Sequence, residues 1–261
     1  MKIVPKYGTD RWAPPTGLIP YVSDTVELHM LRWDAKTCLR CFHSLREYDT
    51  IMHMPMGFHN IETIPYFYPT ILEFIEQLAK CPHPSHVLFH SGLSGKEAKS
   101  LRLYKTVEPL LHAVEKTNGH VRLLLENSIQ SPNYIGDQAY DYLMDNIPNE
   151  LMGACFDLCH HTISQNLYGE HAYFNHFDRV YSVHFSTILN NDGFLDMSTH
   201  AAPHANVNEV KADLQRLVDF GLNLDKVLLV PEVLEKDYTE HLNEVRELEM
   251  LSEVLKDGSY P

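Results

Sequence analysis

The regular alternation of short apolar runs with longer segments is the feature that most constrains how this chain can fold. Apolar runs of strand length occupy residues 2–8, 25–31, 50–55, 86–92, 120–128, 152–160, 179–186 and 226–233. Several are apolar throughout instead of at every second residue, as is typical of parallel strands whose two faces are both covered. Eight such strands, separated by helices or by segments of helical length, predict an α/β fold, a single (β/α)8 TIM barrel.

Helical periodicity in four of the intervening segments supports this prediction. Apolar residues recur at spacings of three and four in residues 68–80, 97–117, 207–221 and 238–256. Gly119 and Gly221 stand where glycine is favoured after the last turn of a helix. No linker or low-complexity segment interrupts the 261 residues, so we expect a single domain over residues 1–261.

The composition limits the partners and the compartment. The chain has 35 Asp and Glu against 21 Lys and Arg, a formal net charge of −14. This balance disfavours broad binding to nucleic acid but allows a local basic patch. We expect no membrane contact, because the N-terminal segment lacks a signal-peptide pattern and no run reaches ~20 apolar residues. The five cysteines, among them the CxxC pair Cys38 and Cys41, are expected to be free thiols in a cytoplasmic protein.

Polar residues recur at one position of this pattern, the C-terminal end of an apolar run. In a (β/α)8 barrel these ends meet at one mouth, where active sites are built. Imidazoles and carboxylates gathered there form the nitrogen and oxygen donor set that Zn²⁺, Mn²⁺ or Fe²⁺ accepts. The residues concerned are His53, His90, Glu126, Asp157, His160, His184 and Glu232.

Each of these residues also has a structural explanation when it is taken alone. A single histidine in a strand is more often hydrogen-bonded in a core than bound to a metal. Glu126 can mark the point where a strand reaches solvent, and Asp157 in CFDLCHH is suited to cap the next helix. Because these explanations must hold independently at six strand ends, and buried carboxylates are costly unless paired or metal-bound, the joint pattern favours a metal centre.

The same motifs resemble those of a known family. The elements MHMPMGFHNI, LFHSG, LENS, DLCH, HFST and VPEV occur in this order within residues 25–235. They resemble the metal-binding elements of the xylose isomerase-like TIM barrels, and most closely those of endonuclease IV. The resemblance covers most of the chain and implies a TIM barrel with a multinuclear metal site.

The resemblance further implies two or three divalent ions, with zinc in the first place and manganese or iron as alternatives. One ion would be held by His53, His90 and Glu126. Glu126 would bridge to a second ion, whose other ligands would be Asp157, His184 and Glu232.

A third ion is implied less completely. In the family it is held by two histidines and an aspartate, and His160 and His200 match the two histidines. Ser198 stands in the place of the aspartate. Asp196 and His204 are the open substitutes for it, because the register of this loop is not fixed by the sequence.

The resemblance to endonuclease IV makes a metal-dependent hydrolase the first expectation. Its substrate would be a phosphodiester, either an abasic site in DNA or a smaller phosphorylated compound. Bound metal ions polarise a phosphoryl oxygen and generate hydroxide, and Glu232 would orient or deprotonate the attacking water. Met56 stands where endonuclease IV has an aromatic wedge residue, and the loops 128–138 and 187–200 contain no Lys or Arg. Both departures disfavour duplex DNA.

Two alternatives remain open. A single-metal sugar isomerase or epimerase needs only the ligands of the second ion, and Glu126 and Glu232 would then move a proton on opposite faces of an ene-diolate. The family's epimerases place an arginine after the seventh-strand histidine, and this sequence has none between His184 and Lys211. A non-catalytic barrel that serves as a partner module is the other alternative. Metal stoichiometry separates these functions, because isomerisation needs about one ion per chain and the hydrolase two or three.

Overall fold

A computed structural model describes residues 2–4, 6–8, 24–29, 48–54, 64–90, 100–128, 136–168, 174–187, 204–232 and 242–258. Within these residues every neighbouring pair of strands is parallel. The strands are β1 (Lys2–Ile3), β2 (Lys6–Gly8), β3 (Thr25–His29), β4 (Asp49–His53), β5 (Ser85–His90), β6 (Val121–Glu126), β7 (Met152–Asp157), β8 (Val180–Phe185) and β9 (Leu228–Pro231).

The sheet closes into a barrel because its two edges belong to the same stretch of chain. The strand order is β1-β9-β8-β7-β6-β5-β4-β3-β2, so β1 and β2 are the two edges. Lys2 pairs with Leu228 of the last strand, and Lys6 pairs with Glu27 of β3. The segment 2–8 therefore acts as one barrel strand whose two halves pair with different neighbours. This arrangement confirms the predicted (β/α)8 barrel, whereas the extent of the domain over residues 1–261 stays a prediction.

The described residues form six α-helices between and after the strands, and four of these helices match the predicted segments. Residue Asn206 begins one of these helices, because its side chain accepts hydrogen bonds from the backbone N–H groups of Asn208 and Glu209. Gly221 follows the same helix at φ +94°, a conformation that favours glycine. The helices are α1 (Tyr68–Leu78), α2 (Ser100–Glu115), α3 (Gly136–Asn146), α4 (Leu158–Tyr168), α5 (Val207–Asp219) and α6 (Leu242–Asp257).

Helices α3 and α4 were not predicted as helices. Helix α4 begins inside the segment 152–160 that the sequence pattern assigned to a strand. The chain leaves the sheet at Asp157, and the next residue already has helical conformation. None of the helices of the described residues is long and apolar enough to cross a membrane.

Two apolar layers flank the sheet. Side chains along each strand alternate between these layers, and this alternation positions the site. Phe89, Phe156 and Phe185 face outward into the large core that the sheet shares with the helices. A smaller layer fills the barrel interior and consists of Val4, Ile51, Leu88, Leu124, Cys155, Leu228 and Val230. Because side chains alternate along a strand, residues two positions further on face the same interior, nearer the C-terminal mouth.

Candidate metal centre

A ring of polar residues lies directly above the interior apolar layer, and each of the eight barrel strands contributes one member. Six members stand two residues after an apolar interior residue, as Glu126 does after Leu124 and Asp157 after Cys155. All except His90 are buried. We call this set the polar ring: Lys6, Glu27, His53, His90, Glu126, Asp157, His184 and Glu232.

Four ring members form a set that can hold one cation. Their ligand atoms all lie within 4.8 Å of one another. His184 Nδ1 is 3.3 Å from Glu126 Oε2 and 3.7 Å from Asp157 Oδ2. It is 2.5 Å from Glu232 Oε2. We call Glu126, Asp157, His184 and Glu232 the carboxylate set.

The electrostatics of the carboxylate set fit a divalent cation. Both carboxylate oxygens of Glu126 and the Nδ1 atom of His184 are buried without a hydrogen bond of acceptable geometry among the described residues. Burial by itself lowers the pKa of His184, but Cys155 and then the carboxylate of Glu232 raise it well above its ordinary value. The surrounding carboxylates thus favour positive charge at this point of the ring. Three buried carboxylates around one nitrogen are an excess of negative charge, which a metal ion would offset.

Asp157 performs both functions that its sequence position allows. Its Oδ1 accepts a 2.5 Å hydrogen bond from the backbone N–H of His160 and caps α4. Its Oδ2 lies on the side of the carboxylate set. The side chain of Asn127 pairs with the backbone of Asp157, donating to its carbonyl oxygen at 3.0 Å and accepting from its N–H at 2.6 Å. These contacts tie the ends of β6 and β7 together.

A second group of possible ligands shares Glu126 with the carboxylate set. The Nε2 atoms of His53 and His90 are 3.0 Å apart. Glu126 Oε2 lies 3.4 Å from His90 Nε2 and 3.8 Å from His53 Nε2. The ring of His29 stacks on that of His53 with centroids 4.2 Å apart, and burial keeps the pKa of His29 well below its ordinary value.

Lys6 and Glu27 are the two members of the polar ring that the sequence analysis did not identify. The Lys6 ammonium group is paired with Oε1 of Glu232 and lies 3.5 Å from Oε1 of Glu27. Burial tends to raise the pKa of Glu27, but His184 and Lys6 lower it well below its ordinary value. Both residues are charged amino acids inside predicted apolar strands, and this is the sequence signal that marks them.

Of the residues considered for a third ion, His200, Ser198 and Asp196 lie outside the described residues, whereas His160 and His204 are described. His160 Nδ1 is 2.9 Å from the carbonyl oxygen of Asn127, to which it donates a hydrogen bond. Only its Nε2 atom therefore remains as a ligand, and no candidate metal group of the described residues includes His160. Both ring nitrogens of His204 face carboxylates on α5 and α6, which leaves no nitrogen for a metal.

Comparisons with known proteins show the fold. No protein-family model matches the chain, and no curated protein matches it. Among solved structures, a D-tagatose 3-epimerase-like protein matches with a TM-score of 0.65, 16% identity and 98% of each chain covered. A 3-keto-D-glucoside 4-epimerase from E. coli in the apo form matches at 0.54, with 11% identity and 89% of each chain covered.

A third solved structure carries the name of the superfamily. A xylose isomerase domain containing protein from Salmonella typhimurium LT2 matches with a TM-score of 0.54 and 11% identity. The match covers 89% of this chain and 86% of that chain. At this identity the similarity is one of fold alone.

These structures correct the expected function. They carry the names of epimerases and of an isomerase domain, so the expectation of an endonuclease IV-like phosphodiester hydrolase was wrong, and with it that of a DNA-repair enzyme. A physical reason lies in the polar ring. Lys6 places a permanent cation against Glu232 and Glu27, where only imidazoles and carboxylates were expected. The ring consequently needs fewer divalent ions to balance its charge.

Proposed function

We propose that this protein is a divalent-metal-dependent sugar isomerase or epimerase. The observation that carries the proposal is the carboxylate set, in which Glu126, Asp157, His184 and Glu232 bring their ligand atoms within 4.8 Å of one another. Three carboxylates and one imidazole on successive strands are a complete ligand set for a single ion. The epimerase names of proteins with the same fold support this function.

One ion held by the carboxylate set is the proposed cofactor. When bound, it would polarise the carbonyl and the neighbouring hydroxyl group of a sugar, which acidifies the C–H bond of the carbon that carries this hydroxyl group. The three carboxylates and the imidazole admit Zn²⁺, Mn²⁺ or Fe²⁺. We assign His53 and His90 to the binding of substrate hydroxyl groups, because imidazole nitrogens can form hydrogen bonds with hydroxyl groups.

Glu126 and Glu232 are the proposed acid and base. Glu126 ends β6 and Glu232 directly follows β9, so they lie on either side of the two strands that carry Asp157 and His184. One carboxylate would remove the proton from the carbon next to the carbonyl group, and the other would return a proton from the opposite face. Lys6 engages Oε1 of Glu232, and Oε2 faces His184.

We propose an uncharged sugar as the substrate. Between Arg122 and Lys211 the sequence has a single Lys or Arg, which is Arg179. Its guanidinium group donates to the carbonyl oxygens of Ile147 and Met152, and Ile147 precedes β7, whose first residue is Met152. The loops after β6, β7 and β8 therefore bring no lysine or arginine to the mouth, whereas phosphate groups are commonly bound by such side chains.

Proton exchange with solvent tests this function directly. The metal-free protein is given Mn²⁺, Mg²⁺, Co²⁺ or Zn²⁺ and a panel of free ketoses and aldoses in D₂O. We expect deuterium at the carbon next to the carbonyl group, together with the epimer or isomer, as observed by NMR. Glu126→Gln should abolish this exchange, and Glu253→Gln on the exposed side of α6 should leave it unchanged. Absence of exchange with every metal and every sugar would refute the proposal.

A further inference from the structure

Glu27 connects the two groups of possible ligands in the polar ring. Its Oε1 atom is 3.1 Å from Nδ1 of His53, and its Oε2 atom is 3.0 Å from Nε2 of His184. The side chain is fully buried. Each oxygen of this carboxylate thus holds a different imidazole, one from each ligand group.

These contacts determine how the two imidazoles are oriented. An ionised carboxylate only accepts hydrogen bonds, so Nδ1 of His53 and Nε2 of His184 must both donate. The opposite nitrogens, His53 Nε2 and His184 Nδ1, then point at Glu126 and the carboxylate set. In metal proteins a carboxylate that binds the second nitrogen of a histidine ligand fixes its tautomer and increases its basicity.

We infer that Glu27 is a positioning residue for the metal centre, which holds the imidazoles of His53 and His184 and thereby sets the affinity for the divalent ion. The inference rests on the proposed function insofar as the carboxylate set binds a metal. Glu27 itself does not ligate the ion, because both of its oxygens are engaged by imidazole N–H groups. Lys6 lies 3.5 Å from Glu27 and balances its buried charge.

Glu247 provides a matched control for Glu27. It is also fully buried and also accepts a hydrogen bond from a buried histidine, which is His204. It lies on α6, outside the polar ring. Glu27→Gln and Glu247→Gln therefore make the same chemical change in two comparable environments, and only the first is next to the proposed metal ligands.

The test is Mn²⁺ binding to the metal-free protein, measured by calorimetry and by the electron paramagnetic resonance of free Mn²⁺. Glu27→Gln should lower the affinity roughly 10–100-fold, the size of effect found for such supporting partners. Glu247→Gln should leave the affinity within about twofold of the original protein. Equal affinity in Glu27→Gln and the original protein, or an equal loss in both variants, would overturn the inference.

Two further measurements keep the outcome decisive. If Glu27→Gln does not fold, Glu27→Asp keeps the charge next to Lys6 but is too short to reach both imidazoles, and it should show the same loss of affinity. The visible spectrum of bound Co²⁺ should keep its shape in the variant, because the ligands are unchanged. An altered coordination geometry would make Glu27 a ligand and refute its positioning role.

The inference and the proposed function can fail separately. Mn²⁺ binding without sugar turnover would refute the proposed function alone, whereas absence of Mn²⁺ binding in the original protein would refute both.

Discussion

His184 and His204 are both fully buried and both contact carboxylates, yet their surroundings differ in kind. His204 has one carboxylate for each ring nitrogen, with Glu247 at Nδ1 and Asp213 at Nε2, 3.0 Å away. His184 has Glu27 at Nε2, but three carboxylates converge on its Nδ1. The two imidazoles lie on opposite faces of β8, because His204 stacks on Phe185, the neighbour of His184.

This difference separates a structural contact from a binding site. Around His204 the carboxylates have further partners, since Glu247 accepts from the backbone N–H of His204 and Asp213 accepts from Arg216 at 2.8 Å. Donors and acceptors are matched, and the cluster ties α5 to α6. In the polar ring four buried carboxylates face Lys6 and a few imidazoles. A buried excess of acceptors favours an added cation, and this imbalance distinguishes the candidate metal centre.

Asp157→Asn is the change that should affect the polar ring most. The amide oxygen can still accept the hydrogen bond that caps α4, but the negative charge beside His184 is lost. We expect a loss of turnover of about 10³-fold or more, which corresponds to several kcal/mol of electrostatic stabilisation, while the protein remains folded. Asp157→Ala should lose the same activity and in addition about 1 kcal/mol of stability with the cap.

The rate of solvent deuterium exchange and urea unfolding measure the two effects separately. Glu253→Gln on the exposed side of α6 is the control for handling and for the loss of one charge. Full activity in Asp157→Asn would remove the distinction between the carboxylate set and the cluster of His204, because the excess charge would then have no function.

His204 should instead determine how stability depends on pH. Burial lowers its pKa, but the hydrogen bonds to Asp213 and Glu247 raise it to about 9. An unfolded histidine has a pKa of about 6.5, so the stabilisation is complete below pH ~6.5 and is lost as the pH rises through ~9. We expect a contribution on the order of 3 kcal/mol to the free energy of unfolding.

Urea unfolding between pH 6 and 9.5 tests this contribution, and the variant His204→Gln should flatten the pH profile. The same variant should bind Mn²⁺ as the original protein does, because His204 takes no part in the polar ring. If metal affinity fell together with stability, the two histidine environments would not be independent and the comparison would fail.

The strand ends of the barrel were predictable from the sequence, whereas the partners of each side chain were not. Glu126 and Asp157 each stand at the C-terminal end of an apolar run. In a barrel of parallel strands these ends meet at one mouth, whatever the details of side-chain packing. Lys6 and Glu27 lie within predicted strands, and their inward direction becomes visible only once the register of the neighbouring strands is known. His204 illustrates the same limit. The sequence does not show whether the hydrogen-bond donors and acceptors around this histidine are matched in number.

A local reason kept helix α4 from being predicted. The segment 152–160 is apolar across the point where the strand ends, so the change from strand to helix has no signature in hydrophobicity. The signal for it is Asp157, whose side chain caps the helix three residues before His160. From the sequence, a cap and a ligand are alternatives for Asp157, whereas in the structure one oxygen caps the helix and the other lies beside the carboxylate set.

His53→Ala is expected to have the smallest effect, and it tests whether the polar ring holds one ion or two. His53 faces His90 and Glu126, but it does not belong to the carboxylate set. If one ion is bound by the carboxylate set, the variant should keep about one Mn²⁺ per chain and show a rise in KM of roughly tenfold, the cost of about one hydrogen bond to a substrate hydroxyl group. His112→Ala, an exposed imidazole on α2, should change neither quantity. Elemental analysis could instead show that the variant loses one of two bound ions. In that case His53 and His90 hold an ion of their own, and the positive charge of Lys6 does not limit the polar ring to one ion.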